Sequence, residues 1–479
     1  MARAAKPRKP KSKHPLRDLV EMCVFAVVMA LGLKVFALEA YQIPTGSMMP
    51  TLMGTQLLDR ETQTPRGSIH DRVLVDKLSF LVRDPQRWEV VVFRYPLLTY
   101  QNYVKRLVGM PGEELMIENG DVWTRPLGSN EEFRIQRKPD DLQERLWKRV
   151  FPVPDSPPFS WPGWNPTGAH TLDEDGALRF SGRGRTSFGP IRDIYRHGFP
   201  DAIYWRVPVS GAGARGSNLV HDLRLTLRAQ PEGGAPLQVE MQCGPWPLEL
   251  HLDPDAGAWR LDLPGGADRE GRVELPRGRE VEIRLAFWDH HYELRLRGAG
   301  DEVFAAGDLS LPSDERARRN GIVLDLPAGG WLLRPPVIER DIHYLSTLQG
   351  DGTQPRVFEI PAGHYFMLGD NTQNSHDSRD WTAREIRLKQ PIDGRSVLVG
   401  DDFSGSVDPF FDNPRWNAEH TIMTFRDANG ELFAIPEEQI EAYKDLRQPH
   451  SLVPREYLMG RALAVFLPLW PTVRVGLVR

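Results

Sequence analysis

The chain of 479 residues holds 42 glycines, 41 prolines and two cysteines, Cys23 and Cys243. That composition favours turn-rich β structure over a helical bundle and excludes a disulfide framework, and the length points to about three domains. Its 60 lysines and arginines nearly cancel 65 aspartates and glutamates, for a net charge of -5, which excludes the basic balance of a dedicated nucleic-acid binder.

Residues 1–18 form a basic tail: Arg3, Lys6, Arg8, Lys9, Lys11, Lys13 and Arg17 precede the first acid, Asp18. From Leu19 to Leu38 only Glu21, Gly32 and Lys34 interrupt the apolar residues. Twenty helical residues cross about 30 Å of hydrocarbon, so this run predicts a single transmembrane helix. The basic flank places the N-terminus in the cytoplasm and residues beyond 40 outside. The run continues into Glu39-Ala40-Tyr41-Gln42-Ile43-Pro44 without a small-x-small site, which predicts a retained anchor rather than a cleaved signal.

Short β segments follow over 39–125, at Val73–Val75, Val90–Phe93 and Tyr103–Val108, with a hairpin turn at Asn119-Gly120. Six prolines over 152–166, interleaved with Trp161 and Trp164, read as a linker. From about 200 to 340 apolar residues alternate, as in Leu223/Leu225/Leu227, Leu248/Leu250/Leu252 and Val281/Ile283/Leu285/Phe287. This predicts an antiparallel β-sandwich inserted over 126–345 and peripheral to any chemistry. The run from Arg284 to Leu296 resembles the late hairpin of laminin-G or concanavalin-like jelly rolls. Its Asp289, His290 and His291 read as a solvated turn rather than a metal site. Residues 346–381 return to compact β character, 382–450 read as a smaller insertion with a turn at Asn429-Gly430, and 451–479 end in a strand from Ala462.

Two positions carry candidate chemistry. Ser47 stands between Pro44 and Pro50, flanked by Gly46 and Met48, just after the predicted span. Lys105 lies in the apolar run Tyr103-Val104-Lys105-Arg106-Leu107, where burial would lower its pKa and let a neutral amine take a proton from a serine hydroxyl. Ser plus Lys is a known variant of the Ser-His-Asp logic. The tripeptide Ser375-His376-Asp377 is no triad, because consecutive side chains on extended backbone point to opposite faces.

Pro44-Thr-Gly-Ser-Met-Met-Pro-Thr-Leu, Asp71-Arg-Val-Leu-Val-Asp-Lys, Tyr103-Val-Lys-Arg-Leu-Val-Gly-Met-Pro-Gly, Gly369-Asp-Asn-Thr-Gln-Asn-Ser-His-Asp-Ser-Arg and Val453-Pro…Met459-Gly-Arg-Ala together resemble the ordered boxes of bacterial type I signal peptidase. The resemblance implies a mainly β fold, in which a signal-peptidase-type antiparallel catalytic domain interrupted by the two insertions follows the anchor. It implies Ser47 as nucleophile, Lys105 as general base, and Thr45 with the Ser47 N–H as oxyanion donors. Ser375 would orient the lysine amine, and Asp377 and Arg379 would form a structural ion pair. Tyr41, Ile43, Pro44, Met48, Leu52, Tyr103 and Val104 would accept the substrate, whereas Met49 reads as core. The implied activity is removal of signal peptides from exported preproteins at the outer face of the bacterial inner membrane, with no metal or cofactor. The partners are preproteins and the lipid bilayer, with no nucleic acid. The family's usual Arg-Asp after Gly-Asp-Asn is Thr372-Gln373 here, and its Gly-Asp before the Val-Val-Val-Phe strand is Trp88-Glu89. Two other classes compete with this reading: an inactive scaffold acting through the sandwich, against which the intact Ser47 and Lys105 argue, and a self-cleaving Ser/Lys protease of the repressor type, which lacks a span beside its serine.

Overall fold

Apolar residues at every position of Val90-Val91-Val92-Phe93 suit a strand covered on both faces, and that run lies in the middle of an antiparallel sheet. The computed structural model describes residues 15–32, 37–154, 160–209, 211–298, 302–312, 319–346, 356–403, 412–443 and 446–478. The central sheet runs in the order Leu38–Gln42, Arg72–Asp76, Leu458–Leu467, Val90–Tyr95, Leu98–Gly109, His364–Leu368 and Val453–Pro454. Strands distant in sequence are thus neighbours, and the quoted motifs meet on one sheet. Its two faces bury separate apolar clusters, one built on Val73, Val75, Val90 and Val92, the other on Val91, Phe93, Leu107 and Trp381.

The hairpin Glu113–Glu118 with Asp121–Pro126 turns at Asn119 and Gly120, both at positive φ, as the Asn-Gly signal requires. With Val357–Ile360 and Arg134–Ile135 it forms a four-stranded sheet. Leu142, Leu146, Ile342 and Tyr344 share its core, so residues near both ends of the predicted insertion pack with this part of the molecule.

Between them two antiparallel sheets enclose one large core. One contains Leu223–Pro231, Val281–Trp288 and His291–Arg297; the other contains Leu237–Cys243, Trp246–Asp253 and Gly321–Leu326. The alternating leucines and valines of both sheets fill the space between them, while arginines and glutamates take the outer positions. The proline-rich stretch is more than a linker. Trp164 is buried in the sandwich core against Phe151 and Phe188, and Trp161 donates to Gly176 O at 2.9 Å; 155–159 lie outside the described residues. Over 382–450, the strands Thr382–Ile392, Arg395–Asp401, Ile422–Arg426 and Leu432–Pro436 surround a small core of their own.

The N-terminal helix covers Pro15–Gly32, with Arg17, Asp18 and Glu21 in its first turns. Among the described residues no helix is long and apolar enough to cross a membrane, and residues 33–36 of the predicted span lie outside the described residues.

Candidate active site

The loop after the 38–42 strand carries Ser47, and its backbone is clamped from several directions. Asn371 donates from Nδ2 to Gly46 O at 2.8 Å and from its backbone N–H to Ser47 O at 3.1 Å. Arg474 donates to Pro50 O and Thr51 O while pairing with the buried Asp71, which accepts from Met53 N–H. Gly369 lies so close that a methyl group there would fall 2.5 Å from Ser47 O and 2.1 Å from Ser375 Oγ. Glycine is required by that contact.

Lys105 projects from the 98–109 strand, and its Nζ is 2.6 Å from Ser47 Oγ. The side chain is 3% exposed. Burial pulls its pKa down to about 8, and Arg379 adds to the fall, while Asp377 and Asp370 oppose it. A neutral amine is therefore accessible near neutrality, positioned to accept the serine proton.

Ser47 and Lys105 open on a cleft of about 1200 Å³. Pro44, Thr45, Tyr103 and Val104 line one part of it; His376, Asp402, Phe403 and Arg447 line another. The cleft thus reaches residues of the 382–450 segment, which sequence patterning alone did not connect to the site. The 364–368 strand pairs with 98–109 only from Arg106 onward, leaving the outer edge of Gln101–Lys105 facing this space. Tyr103 is held in the wall by stacking on Tyr95 at a centroid distance of 4.5 Å, and Tyr95 donates to Asp401 at 2.9 Å.

Several predicted residues lie elsewhere than the resemblance implies. Ile43, Met48 and Leu52 are buried in the cluster with Val73, Val75 and Val92, beneath the loop rather than on the cleft wall, and Tyr41 packs beside them. Met49 is core, as read. Ser375 Oγ is buried and has no hydrogen-bond partner among the described residues: the amine of Lys105 is directed at Ser47, and Ser375 is wedged against Gly369. Its predicted bond to the amine is not made. Asp377 and Arg379 pair at 2.7 Å with neither side chain exposed, and Asp377 also accepts from Gly369 N–H at 2.9 Å. His376 faces the cleft while its neighbours face the interior; burial and the charge of Lys105 push its pKa down to about 4.

Sequence reasoning passed over a second ion pair. Arg106 binds Asp370 through two hydrogen bonds of 2.8 and 2.6 Å, both side chains fully buried, and Thr51 donates to the same carboxylate. The adjacency of Arg106 to Lys105 and of Asp370 to Asn371 was the available signal. Arg106 also donates to Trp88 O. Trp88 adopts φ 74°, a conformation natural to the glycine it replaces, and its buried indole donates to Arg137 O at 3.1 Å.

The Asp289-His290 turn is not solvated. The hairpin tip docks on the 113–126 hairpin, burying Asp289 against Lys138 (2.9 Å) and packing His290 on Trp123. Asp121, Asp222 and Asp289 converge there with ligand atoms within 4.8 Å of one another, and Lys138 also pairs with Asp341. The ammonium of Lys138 is the cation already at this cluster.

Comparison with known proteins agrees with the motifs. The family model described as signal peptidase, peptidase S26, matches residues 16–148 and 334–399, leaving 149–333 unmatched. A probable signal peptidase I-2 of Synechocystis is 35% identical over 111 residues, 22% of this chain and 44% of that protein. A signal peptidase I of Leptolyngbya laminosa is 34% identical over 140 residues, 27% and 60% respectively, and one from Pseudomonas fluorescens is 36% identical over 115 residues, 21% and 35%. The chain therefore spans about a third to three-fifths of the length of these relatives. Among solved structures, a winged bean acidic lectin aligns over 38% of this chain and 93% of its own with 9% identity and a TM-score of 0.27, too low to carry an argument. The motifs converge on one clamped serine and one buried lysine, and over 16–148 and 334–399, on both sides of the sandwich, the chain is similar to signal peptidase, peptidase S26.

Proposed function

We propose that this protein is a membrane-anchored serine endopeptidase that cleaves signal peptides from exported preproteins through a Ser47/Lys105 dyad. The observation that carries this reading is the 2.6 Å contact between Ser47 Oγ and a buried lysine amine whose pKa is lowered to about 8. Ser47 attacks the scissile carbonyl as the neutral Lys105 accepts its proton. The ammonium then protonates the leaving amine, and the acyl-enzyme is hydrolysed by a water that the regenerated amine deprotonates. The Ser47 N–H and the Thr45 hydroxyl are the donors for the developing oxyanion. Asp377 and Arg379 fix the wall behind the lysine, with Ser375 packed between that wall and Gly369. The exposed edge at Gln101–Lys105 and the rim residues Pro44, Tyr103 and Val104 receive the substrate as an added strand. The chemistry needs no metal or cofactor.

Residues 19–38 are the anchor, with the basic tail in the cytoplasm and the catalytic part at the outer face of the bacterial inner membrane. Exposed apolar side chains support contact with the bilayer: Leu81 and Val82 follow the 72–76 strand, and Leu469, Trp470 and Val473 follow its partner 458–467. In this reading the catalytic domain is built from 39–125, 346–381 and 451–479, the 126–345 insertion is a jelly-roll-like sandwich centred on 148–340, and 382–450 is a smaller insertion. The test is cleavage of a preprotein by the purified protein in liposomes, scored by the N-terminus of the mature product. Cleavage by the wild type and none by Ser47→Ala supports the reading; equal cleavage by both overturns it.

A further inference from the structure

The segment 193–207 lies outside the residues matched by the signal peptidase model, yet it packs directly beneath the nucleophile loop. Met49 and Met53 of that loop, with Leu57 and Ile69, share one buried cluster with Phe199, Ile203, Tyr204 and Val207. The contact is polar as well. Gln373 donates from Nε2 to Asp193 O at 2.9 Å, and Thr372 donates to His343 O at 2.8 Å. These are the two positions at which the chain departs from the family's Arg-Asp. Asp193 is itself rigid, since its carboxylate accepts from the backbone N–H groups of Ser217 and Asn218 and from the Asn218 amide. The hydroxyl of Tyr195 lies 3.9 Å from Met49 Sδ, within hydrogen-bond reach of the sulfur, and Asn371 is the residue that holds Gly46 O and Ser47 O.

We infer that Tyr195 and Gln373 are positioning residues through which the inserted segment holds the Ser47 loop in its reactive geometry. The line of force runs from the fixed Asp193 peptide to Gln373, two residues from the Asn371 that holds Gly46 O and Ser47 O, and in parallel from Tyr195 to Met49, whose N–H donates to Gly46 O. A carboxylate at 373 could not donate to Asp193 O, so the glutamine is what this insertion requires. The insertion is thereby part of the catalytic apparatus. This inference rests on the protease reading for its kinetic consequence, but not for the bracing itself.

Tyr195→Phe and Gln373→Met each keep most of the side-chain volume while removing the polar contact, so folding is preserved. In the full-length protein in detergent, amide hydrogen exchange over residues 46–53 should accelerate at least about fivefold in the double variant, since the supports on Met49 and on the 371–373 turn are released. With a peptide spanning a small-residue cleavage site, kcat should fall by about tenfold while KM stays within twofold, because misplacing a reacting group costs rate rather than binding. Unchanged exchange overturns the brace, and accelerated exchange with unchanged kcat overturns the positioning role. A wild-type protein that cleaves nothing would count against the protease reading alone, and the exchange measurement would still decide the brace.

Discussion

Burial makes the amine of Lys105 easier to deprotonate. An exposed lysine is almost wholly protonated at neutral pH, whereas one at about 8 has roughly a tenth of its amines neutral at pH 7 and about nine tenths at pH 9. Cleavage should therefore rise with pH through about 8 to a plateau, which a kcat/KM profile checks; a profile flat from pH 6 to 10 would contradict the assignment. Lys105→Ala should abolish turnover, and so should Lys105→Arg, because a guanidinium does not deprotonate in that range. Thr45→Ala should lose about a hundred- to a thousandfold and Thr45→Ser little, since one oxyanion donor is worth roughly 2.7–4 kcal/mol. If the serine variant is as impaired as the alanine, the methyl group rather than the hydroxyl is what matters.

At the scale of elements, the site is a meeting of three segments: the 43–53 loop, the 98–109 strand and the 369–379 loop. Gly369→Ala tests that meeting, since its methyl group would lie 2.5 Å from the Ser47 carbonyl, against backbone that the Asn371 bonds hold fixed. Cleavage should fall by about a hundredfold or more, as for any displacement of a nucleophile by about 1 Å, with thermal unfolding shifted far less than activity. Near-normal turnover in this variant would show that the loop yields freely. The segments themselves were legible, because each carries a motif with fixed spacing and the alternating or wholly apolar runs identify their strands. Ser47 and Lys105 were legible for the same reason. What could not be read was which side chains the fold leaves facing the cleft. Met48 and Leu52 look like pocket residues in a list of motifs, but the turn in which Leu52 N–H donates to Met48 O directs both into the core below. Nor was the departure at Trp88 interpretable, because nothing in a single residue type shows that the backbone there adopts φ 74° and that a buried indole compensates for it.

For the whole molecule, the periodic strands of the sandwich suggested a self-contained appendage, removable at modest cost. The structure corrects this, because an independent core does not imply an independent surface. Replacing 149–333 with a linker would strip the cover from Met49, Met53, Leu57 and Ile69, each worth about 1.5–3 kcal/mol when buried. The deletion protein should therefore lose cleavage by about a hundredfold or aggregate, against the modest loss that an appendage would give.

The second face of the same junction holds the buried carboxylates Asp121, Asp222, Asp289 and Asp341 around the ammonium of Lys138. Burial and mutual repulsion push the carboxyls of Asp121 and Asp222 well above their ordinary range. A carboxyl whose folded pKa is raised imposes no penalty below its unfolded value of about 3.9. As pH rises above that value the unfolded chain releases its proton first, and stability falls until the folded value is passed. Asp222→Asn removes one such group. It should stabilise the protein at pH 8 by about 1.4 kcal/mol for each unit of the shift it abolishes, roughly 2–4 °C in Tm per kcal/mol, and the gain should vanish near pH 4. Lys138→Met should do the opposite, costing about 3–5 kcal/mol by leaving the carboxylates without their cation. Calorimetry of both variants at the two pH values decides the matter: an Asp222→Asn gain that is absent at pH 8, or equal at pH 4, would mean that this junction carries no excess negative charge in the folded state.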